Sequence, residues 1–271
     1  MVEWESVLRE AGERVQEVSD RLVGSHEGIE RLGEGASGDV TMRVDREAED
    51  AIIDAIGQKG RDIRIVAEER GESGEAGARW TVIIDPIDGS SNFERQIPFY
   101  CTSIAVLDGG TLETASHALV RNLVNGDTYY SQSGSRSTKN GGEMRTSAVQ
   151  ELQRAIVGID ISKTSLPIVR SVSELIASVR RQVHFGANAL EACFMAEGSI
   201  DGFVDVRGRM RVMDLAAAYL IGRQAGATFT DGRGGPLSPR ISVKERFSVV
   251  GAANPVLHRR IFAKLGGSVE G

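Results

Sequence analysis

The sequence predicts an α+β fold in its N-terminal half and an α/β fold in its C-terminal half. In the first half, residues 3–23 and 45–56 carry apolar residues at helical spacing, and strand patterns follow them. From residue 155 onward, strand patterns alternate with helix patterns, which is typical of an α/β arrangement. The 271 residues are 41% hydrophobic, which is enough for one large or two modest domains with an apolar core.

The segment between the first two helices, residues 24–38, is rich in glycine and charged residues. It contains Gly33-x-Gly35-x-x-Gly38, which formally matches the dinucleotide-binding fingerprint. That fingerprint follows an apolar strand, and residues 27–32 do not form one, so a nicotinamide cofactor is disfavoured. Loose glycine-rich loops near active sites commonly close over a substrate, so we predict a mobile lid here.

The remaining elements follow from alternating or continuous apolar patterns. Strands are predicted at residues 63–67, 80–84, 100–106, 114–120, 127–131, 155–159, 182–185, 202–206, 227–230 and 247–252. Helices of the second half are predicted at residues 166–181, 187–196, 213–225 and 254–265. The polar, glycine-rich residues 133–142 mark the expected junction between an N-terminal half, 1–136, and a C-terminal half, 137–271.

The most informative segment is the strand and turn at residues 80–93. The apolar strand runs into two carboxylates, Asp85 and Asp88, and a Gly-Ser-Ser turn follows at 89–91. Two acids at the end of a buried strand repel each other and lose water, which is costly unless a cation binds them. Hard oxygen ligands favour Mg²⁺, and the turn offers N–H groups and hydroxyls to a phosphate. This layout suits a metal-assisted phosphatase, although Asp-Pro and Asp-Gly pairs are also ordinary turn signals.

Composition and spacing disfavour several other classes of protein. The net charge is −6 without a basic stripe, so nucleic acid is not the expected partner. Cys101 and Cys193 lie in apolar surroundings and are expected to be buried thiols of a reducing compartment. Because we find neither a secretion signal nor an apolar run of about 20 residues, we expect a cytoplasmic protein without a membrane partner. An EF-hand calcium loop fails because position twelve is Gln96.

Three segments, taken together, resemble the inositol monophosphatase family. Residues 85–93 read DPIDGSSNF, similar to the family's DPIDGTTNF, and residues 66–69 resemble its strand followed by paired glutamates. Residues 212–221 resemble the start of its late helix, with Met213 where the family often has tryptophan. The resemblance implies a layered αβαβα sandwich, the fructose-bisphosphatase-like fold. It also implies a Mg²⁺-dependent phosphoric monoester hydrolase in which metal-activated water attacks the substrate.

The resemblance implies a metal site with ligands from separate parts of the chain: Glu68, Asp85, the carbonyl of Ile87, Asp88 and Asp214. Two or three Mg²⁺ ions per site are expected, and Asp39 is a candidate for a third, weaker ion. The implied catalytic residues are Ser90, Asp45 and Glu68, with the Ser90 hydroxyl orienting water and Asp45 behind it. Whether Asp39 or Asp45 supports a third metal or the water stays open, and Asp45 and Asp214 also suit helix starts.

Substrate contacts are implied at two turns by Gly89, Ser90, Gly186, Ala187 and Asn188. Inositol-specific members carry a glutamate seven residues before the late aspartate, where this chain has Arg207. Arginine can bind a second phosphate bidentately, so we predict a bisphosphate site there. Arg209 and Arg211 are expected in the same basic loop, and a solvated basic turn is the alternative.

Residues 121–130 resemble a hairpin of archaeal enzymes that act on both inositol monophosphate and fructose bisphosphate. The expected substrates are therefore fructose 1,6-bisphosphate and inositol 1-phosphate, with a role in carbohydrate metabolism such as gluconeogenesis. Related families that act on adenosine 3′,5′-bisphosphate or NADP share the metal motifs and are the alternative. The expected partner is this small phosphate ester, and a homodimer is expected.

Overall fold

The computed structural model describes residues 3–57, 62–75 and 77–266. Its helices are α1 (Trp4–Leu22), α2 (Arg43–Gly57), α3 (Ser90–Arg95), α4 (Leu166–Ser178), α5 (Asn188–Ala196), α6 (Val212–Ala225) and α7 (Pro255–Phe262). The strands of the first half are β1 (Arg31–Glu34), β2 (Val40–Met42), β3 (Ile63–Ala67), β4 (Gly71–Ser73), β5 (Trp80–Asp88), β6 (Cys101–Asp108), β7 (Ala115–Asn122), β8 (Thr128–Gln132), β9 (Thr138–Lys139) and β10 (Gly142–Glu143). Those of the second half are β11 (Ile156–Ile159), β12 (Arg181–Val183), β13 (Gly202–Met210), β14 (Thr228–Asp231) and β15 (Phe247–Ala252).

Two large sheets and three helical layers make up the molecule. The larger sheet has the order β10-β9-β8-β7-β6-β5-β3-β4 and is antiparallel except for the parallel pair β3 and β5. The smaller sheet has the order β12-β11-β13-β15-β14, with β11 parallel to both of its neighbours. Helices α1 and α2 cover one face of the larger sheet, α5 and α6 lie between the sheets, and α4 and α7 cover the outer face of the smaller sheet. The predicted αβαβα sandwich is confirmed.

Helix α6 is buried on nearly every side because it is sandwiched between the two sheets. Ala216, Ala217 and Ala218 are almost wholly inaccessible, and their small side chains let the sheets approach the helix closely. The helix ends at Gly226, which has a φ of 114° and provides the left-handed residue of the C-terminal cap. Its N-terminus, by contrast, opens at the edge of the larger sheet where the candidate site lies.

The structure contains short elements that the sequence pattern does not predict. The glycine-rich segment after α1 forms the antiparallel hairpin of β1 and β2, and all residues of β1 are exposed. An exposed strand has no buried face, so it shows no alternation of apolar and polar residues. The predicted junction at residues 133–142 likewise adds the edge strands β9 and β10 to the larger sheet. The interpretation of residues 207–211 as a basic loop is wrong, because β13 extends to Met210.

One apolar core joins the two halves of the chain. It combines side chains of the larger sheet, such as Val66 and Ile83, with Leu215 of α6 and Phe203 of β13. The division at residue 136 stays a prediction, and residues 1–2 and 267–271 of the predicted halves lie outside the described residues. No helix within the described part of the chain combines the length and the hydropathy that crossing a membrane requires.

Candidate active site

The acidic residues of the three sequence motifs meet at one edge of the larger sheet. Strands β3 and β5 are parallel neighbours, with Ala67 opposite Ile84, so Glu68 and Asp85 follow side by side at their carboxyl ends. Asp88 ends β5, and Asp214 lies in the first turn of α6. The four carboxylates are at most 6% exposed. Segments far apart in sequence are thus brought together where parallel strands end.

Asp85 is the most deeply buried of these acids, and its carboxylate has no partner. It is 0% exposed, and neither of its carboxylate oxygens has a hydrogen-bond partner. Burial, followed by repulsion from Glu68 and Asp88, raises the pKa of Asp85 well above its ordinary value. An unpartnered buried carboxylate is costly to a fold, and a hard divalent cation relieves that cost directly. The residues present therefore fit Mg²⁺.

Asp88 is held in place by the other half of the chain. Its Oδ2 accepts a hydrogen bond from the backbone N–H of Ala189 over 2.6 Å. Burial and then repulsion from Asp214 raise the pKa of Asp88 to about 8. The thiol of Cys101 lies 3.7 Å from the same oxygen, so Asp88 has a fixed orientation and one oxygen, Oδ1, left for a cation.

The guanidinium of Arg211, a residue expected only as part of a basic loop, lies against the same carboxylates. Its Nη2 is 2.8 Å from Oδ1 of Asp214, and its Nη1 contacts Glu68 and lies 2.9 Å from Oδ2 of Asp39. Within the described ranges, no three carboxylate, imidazole or thiol groups are grouped closely enough to enclose an ion. A signal was available, because Arg211 immediately precedes the helix that carries Asp214.

Ser90 and Asp45 form the predicted pair beside the metal site. The Ser90 hydroxyl lies 3.1 Å from Oδ1 of Asp45 and 2.8 Å from the carbonyl oxygen of Ile87. One hydroxyl proton serves only one of these acceptors at a time. Asp45 is 2% exposed, its Oδ2 accepts the N–H of Met42, and burial raises its pKa well above the ordinary value.

Two further buried acids, Glu49 and Glu69, hold the end of β3 in place. Glu49 is 0% exposed and accepts the backbone N–H groups of Glu69 and Arg70 over 2.8 and 2.9 Å. Glu69 in turn accepts the hydroxyl of Thr41, and burial raises the pKa of Glu69 to about 7. Glu49 was not predicted, because a buried helix acid has the same spacing as a solvated one.

The two predicted substrate turns lie next to each other. Gly89 has a φ of 96° and Gly186 a φ of 86°, a region that favours glycine. The amide of Asn92 ties the turns together by donating to the carbonyls of Phe99 and Phe185, both over 2.7 Å. Glycine at 89 is also needed for space, since a Cβ there would lie 3.1 Å from the side chain of Ala187.

A cavity of about 460 Å³ opens above these groups. Glu68, Asp88, Ser90 and Asn188 contribute to its walls. The Oδ1 atom of Asn188 is buried without a hydrogen-bond partner, so it is available to a hydroxyl of a ligand.

Basic side chains line the same cavity opposite the acids. Arg31 of β1 and Lys163 belong to this wall, and Lys163 has a φ of 47°, which is unusual for a residue with a side chain. Neither residue was predicted as part of the site. A cavity with an acidic floor and basic walls suits a phosphate ester bound over metal ions.

Arg207 lies outside the residues that line this cavity. Its guanidinium contacts Asp160 and lies 2.7 Å from Oδ2 of Asp205, and its Nη1 donates to the carbonyl of Ser162 over 2.9 Å. The side chain is only 8% exposed, so it is not a solvated basic turn. Its predicted contact with a phosphate is untested and stays a prediction.

Comparison with known proteins agrees with this geometry. The family model described as the inositol monophosphatase family matches residues 2–270. A fructose-1,6-bisphosphatase/inositol-1-monophosphatase of Methanothermobacter thermautotrophicus is 34% identical, covering 97% of this chain and 96% of that protein. A bifunctional NADP phosphatase/NAD kinase of Methanocaldococcus jannaschii is 30% identical, covering 90% of this chain but 47% of that protein.

A solved inositol monophosphatase–fructose 1,6-bisphosphatase superposes with a TM-score of 0.83 at 26% identity, covering 97% of this chain and all of that one. The family, and with it a phosphatase activity, was expected from three short motifs, and it is confirmed along nearly the whole chain. The chain is a phosphatase that belongs to the inositol monophosphatase family.

Proposed function

We propose that this protein hydrolyses fructose 1,6-bisphosphate and inositol 1-phosphate in a reaction that depends on Mg²⁺. The observation that carries the proposal is Asp85, buried with two unpartnered oxygens beside Glu68 and Asp88, which line the cavity. The two substrates are proposed by analogy with similar proteins whose names combine these two activities.

The metal would be held by Glu68, Asp85, Asp88, Asp214 and the carbonyl of Ile87, in two or three Mg²⁺ sites with Asp39 at the weakest. Bound Mg²⁺ neutralises charge on the phosphate and lowers the pKa of the attacking water. The distribution of ligands between the sites is part of the proposal.

The chain's own contribution is orientation. When the Ser90 hydroxyl donates to Asp45, its oxygen would still be able to accept a hydrogen bond from the attacking water. Glu68 also faces the cavity and provides a second acceptor on the water's side. The water oxygen then attacks phosphorus, and the phosphorus–oxygen bond to the sugar breaks. A proton of the water moves to Ser90 as Ser90 passes its own proton to Asp45, and the leaving sugar oxygen takes a proton from solvent water to become a hydroxyl.

Substrate contacts divide between the two turns. Backbone N–H groups at Gly89 and Ser90 would bind the phosphate that is transferred, while Gly186, Ala187 and Asn188 would contact the hydroxyls of the sugar or polyol. The unpartnered Oδ1 of Asn188 supports this division, because an acceptor without a donor selects for a hydroxyl.

A second phosphate would be bound by Lys163. Lysine is a point charge with rotatable donors, which suits a phosphate at the rim of a cavity. Arg207 supports this role indirectly: it donates to both the carbonyl and the hydroxyl of Ser162, next to Lys163. We therefore propose that Arg207 also fixes the loop that presents Lys163.

The test is a substrate panel with and without Mg²⁺. Phosphate release would be measured with fructose 1,6-bisphosphate, inositol 1-phosphate, adenosine 3′,5′-bisphosphate and NADP, each in Mg²⁺ and in EDTA. We expect fructose 1,6-bisphosphate and inositol 1-phosphate to be hydrolysed in Mg²⁺ alone. Absence of hydrolysis of both would contradict the proposal.

The second candidate is an NADP phosphatase, which the similarity to the archaeal bifunctional protein favours. A kcat/KM for NADP well above that for fructose 1,6-bisphosphate would establish it. We further propose, from the family resemblance, that the protein is cytoplasmic and forms a homodimer. Analytical ultracentrifugation tests the dimer directly.

A further inference from the structure

Arg211 joins three carboxylates that come from separate parts of the fold. Its guanidinium contacts Glu68 at the end of β3, Asp214 at the start of α6 and Asp39 between β1 and β2. The Arg211 side chain is 16% exposed, while those of Glu68 and Asp214 are 8% and 6% exposed. A long flexible side chain is thereby held by two buried partners, Glu68 and Asp214, and by one exposed partner, Asp39.

The charge of Arg211 is secure in this position. Burial lowers the pKa of Arg211, but the carboxylates of Asp214 and Glu68 more than offset this and raise it well above its ordinary value. Arg211 also acts on the deeper acids, because its charge lowers the pKa values of Asp85 and Asp88 against the effect of their burial. The guanidinium therefore counters part of the repulsion among the buried carboxylates.

Arg211 contacts two of the carboxylates that would hold the metal. Its Nη1 contacts Oε1 of Glu68, and its Nε and Nη2 contact the carboxylate of Asp214, so the guanidinium occupies oxygens that a divalent ion at these two ligands would share. Two cations at such close range also repel each other strongly in a buried site. Both cannot bind these carboxylates fully at once.

We propose that Arg211 is the internal cation of this site, which stabilises the metal-free pocket and competes with Mg²⁺ for Glu68 and Asp214. This inference rests on the proposed metal site and adds to it a residue that sets metal affinity. Mg²⁺ binding then requires the guanidinium to leave these two carboxylates.

A purely structural arginine would behave differently. If Arg211 only capped α6, its loss would weaken the fold with or without metal and would disorder the ligand Asp214, so Mg²⁺ would bind more weakly. Competition predicts the opposite sign for metal affinity. The direction of the change therefore separates the two roles.

The experiment is calorimetric titration of Mg²⁺ into EDTA-stripped, dialysed protein, with no substrate present. The variant is Arg211→Gln, which removes the charge. The matched control is Arg209→Gln, an exposed arginine two positions earlier with the same change in charge. We expect Arg211→Gln to bind Mg²⁺ about tenfold tighter or more, while its metal-free form melts at a lower temperature. Arg209→Gln should match wild type in both measurements.

If wild type binds Mg²⁺ and Arg211→Gln binds it equally well or more weakly, the inference about Arg211 is overturned. The proposed metal site would stand in that case. A wild type that binds no Mg²⁺ would overturn the proposed metal site as well. If the stripped variant is unfolded, competition requires that Mg²⁺ alone restores its near-ultraviolet circular dichroism. Failure of Mg²⁺ to restore it would also overturn the inference.

Discussion

The backbone N–H of Ala189 donates a hydrogen bond to Oδ2 of Asp88 over 2.6 Å. Asp88 ends strand β5 on the metal side, and Ala189 lies in the first turn of α5 on the substrate side. This contact fixes a proposed metal ligand relative to the turn that would bind the sugar. The transferred phosphate must bridge these two surfaces, so their spacing is part of the catalytic geometry.

Ser90 is expected to act in the chemical step more than in binding. Ser90→Ala removes the hydroxyl that orients water, so kcat should fall about 10²- to 10³-fold with little change in KM. Ser90→Thr keeps the hydroxyl and adds the stiffness of a branched side chain, so it should retain activity. Steady-state kinetics on inositol 1-phosphate measure both variants. Full activity in Ser90→Ala would remove Ser90 from the mechanism.

Lys163 is expected to discriminate between the two substrates. Lys163→Ala should lower kcat/KM for fructose 1,6-bisphosphate about ten- to a hundredfold, by loss of a charge-assisted contact of about 1.5–3 kcal/mol. Inositol 1-phosphate has no second phosphate and should hardly respond. Lys244, an exposed lysine outside the cavity wall, provides the control variant Lys244→Ala. Equal losses on both substrates would exclude Lys163 as the distal phosphate site.

Arg207→Ala is expected to weaken the fold as well as the use of bisphosphate. It would leave Asp160 and Asp205, which are 5% and 0% exposed, as buried charges without their cation. We expect a loss of about 3–5 kcal/mol in the free energy of unfolding, measured by urea denaturation. Preferential loss of fructose 1,6-bisphosphate hydrolysis should accompany it, because the loop carrying Lys163 loses its anchor. An unchanged free energy of unfolding would show that the ion pairs of Arg207 with Asp160 and Asp205 contribute little to stability.

Asp85→Asn is expected to stabilise the metal-free protein while abolishing its response to metal. The substitution removes one buried charge from a repelling group, so the free energy of unfolding in EDTA should rise by about 1–2 kcal/mol. A ligand that binds the native state raises its melting temperature. Mg²⁺ should therefore raise the melting temperature of wild type but not that of Asp85→Asn. Asp54→Asn, at an exposed position of α2, is the control. A less stable apo variant would show that Asp85 is already compensated without metal.

The hairpin of β1 and β2 is expected to retain the behaviour of a lid. Its first strand is fully exposed, and Asp39 is tied to the body of the protein through Arg211. We expect faster amide hydrogen exchange at residues 31–40 without metal than with metal and substrate together. Equally slow exchange in both states would rule out a lid.

Sequence patterns predicted the elements that bury a face. β5 and α6 carry their apolar residues at the expected spacing, and the family motifs located the acids at their ends. The exposed strand β1 was not predicted, because a strand without a buried face needs no particular pattern of apolar residues. The contacts of Arg211 were not predicted for a different reason. They join Arg211 to Glu68 and Asp39, which are more than 140 positions away in the chain. Only the packing of α6 on the larger sheet, which contains β3, brings Arg211 and Glu68 together.

The most direct test of the central proposal is the Mg²⁺ dependence of phosphate release by wild type and Asp88→Asn. Asparagine keeps an acceptor for the N–H of Ala189, so the fold should survive while one ligand charge is lost. We expect wild type to release phosphate from fructose 1,6-bisphosphate in Mg²⁺ and not in EDTA. Asp88→Asn should be folded by circular dichroism and inactive at every Mg²⁺ concentration. Near wild-type turnover by Asp88→Asn at saturating Mg²⁺, or turnover by wild type in EDTA, would contradict a metal-dependent phosphatase built on these carboxylates.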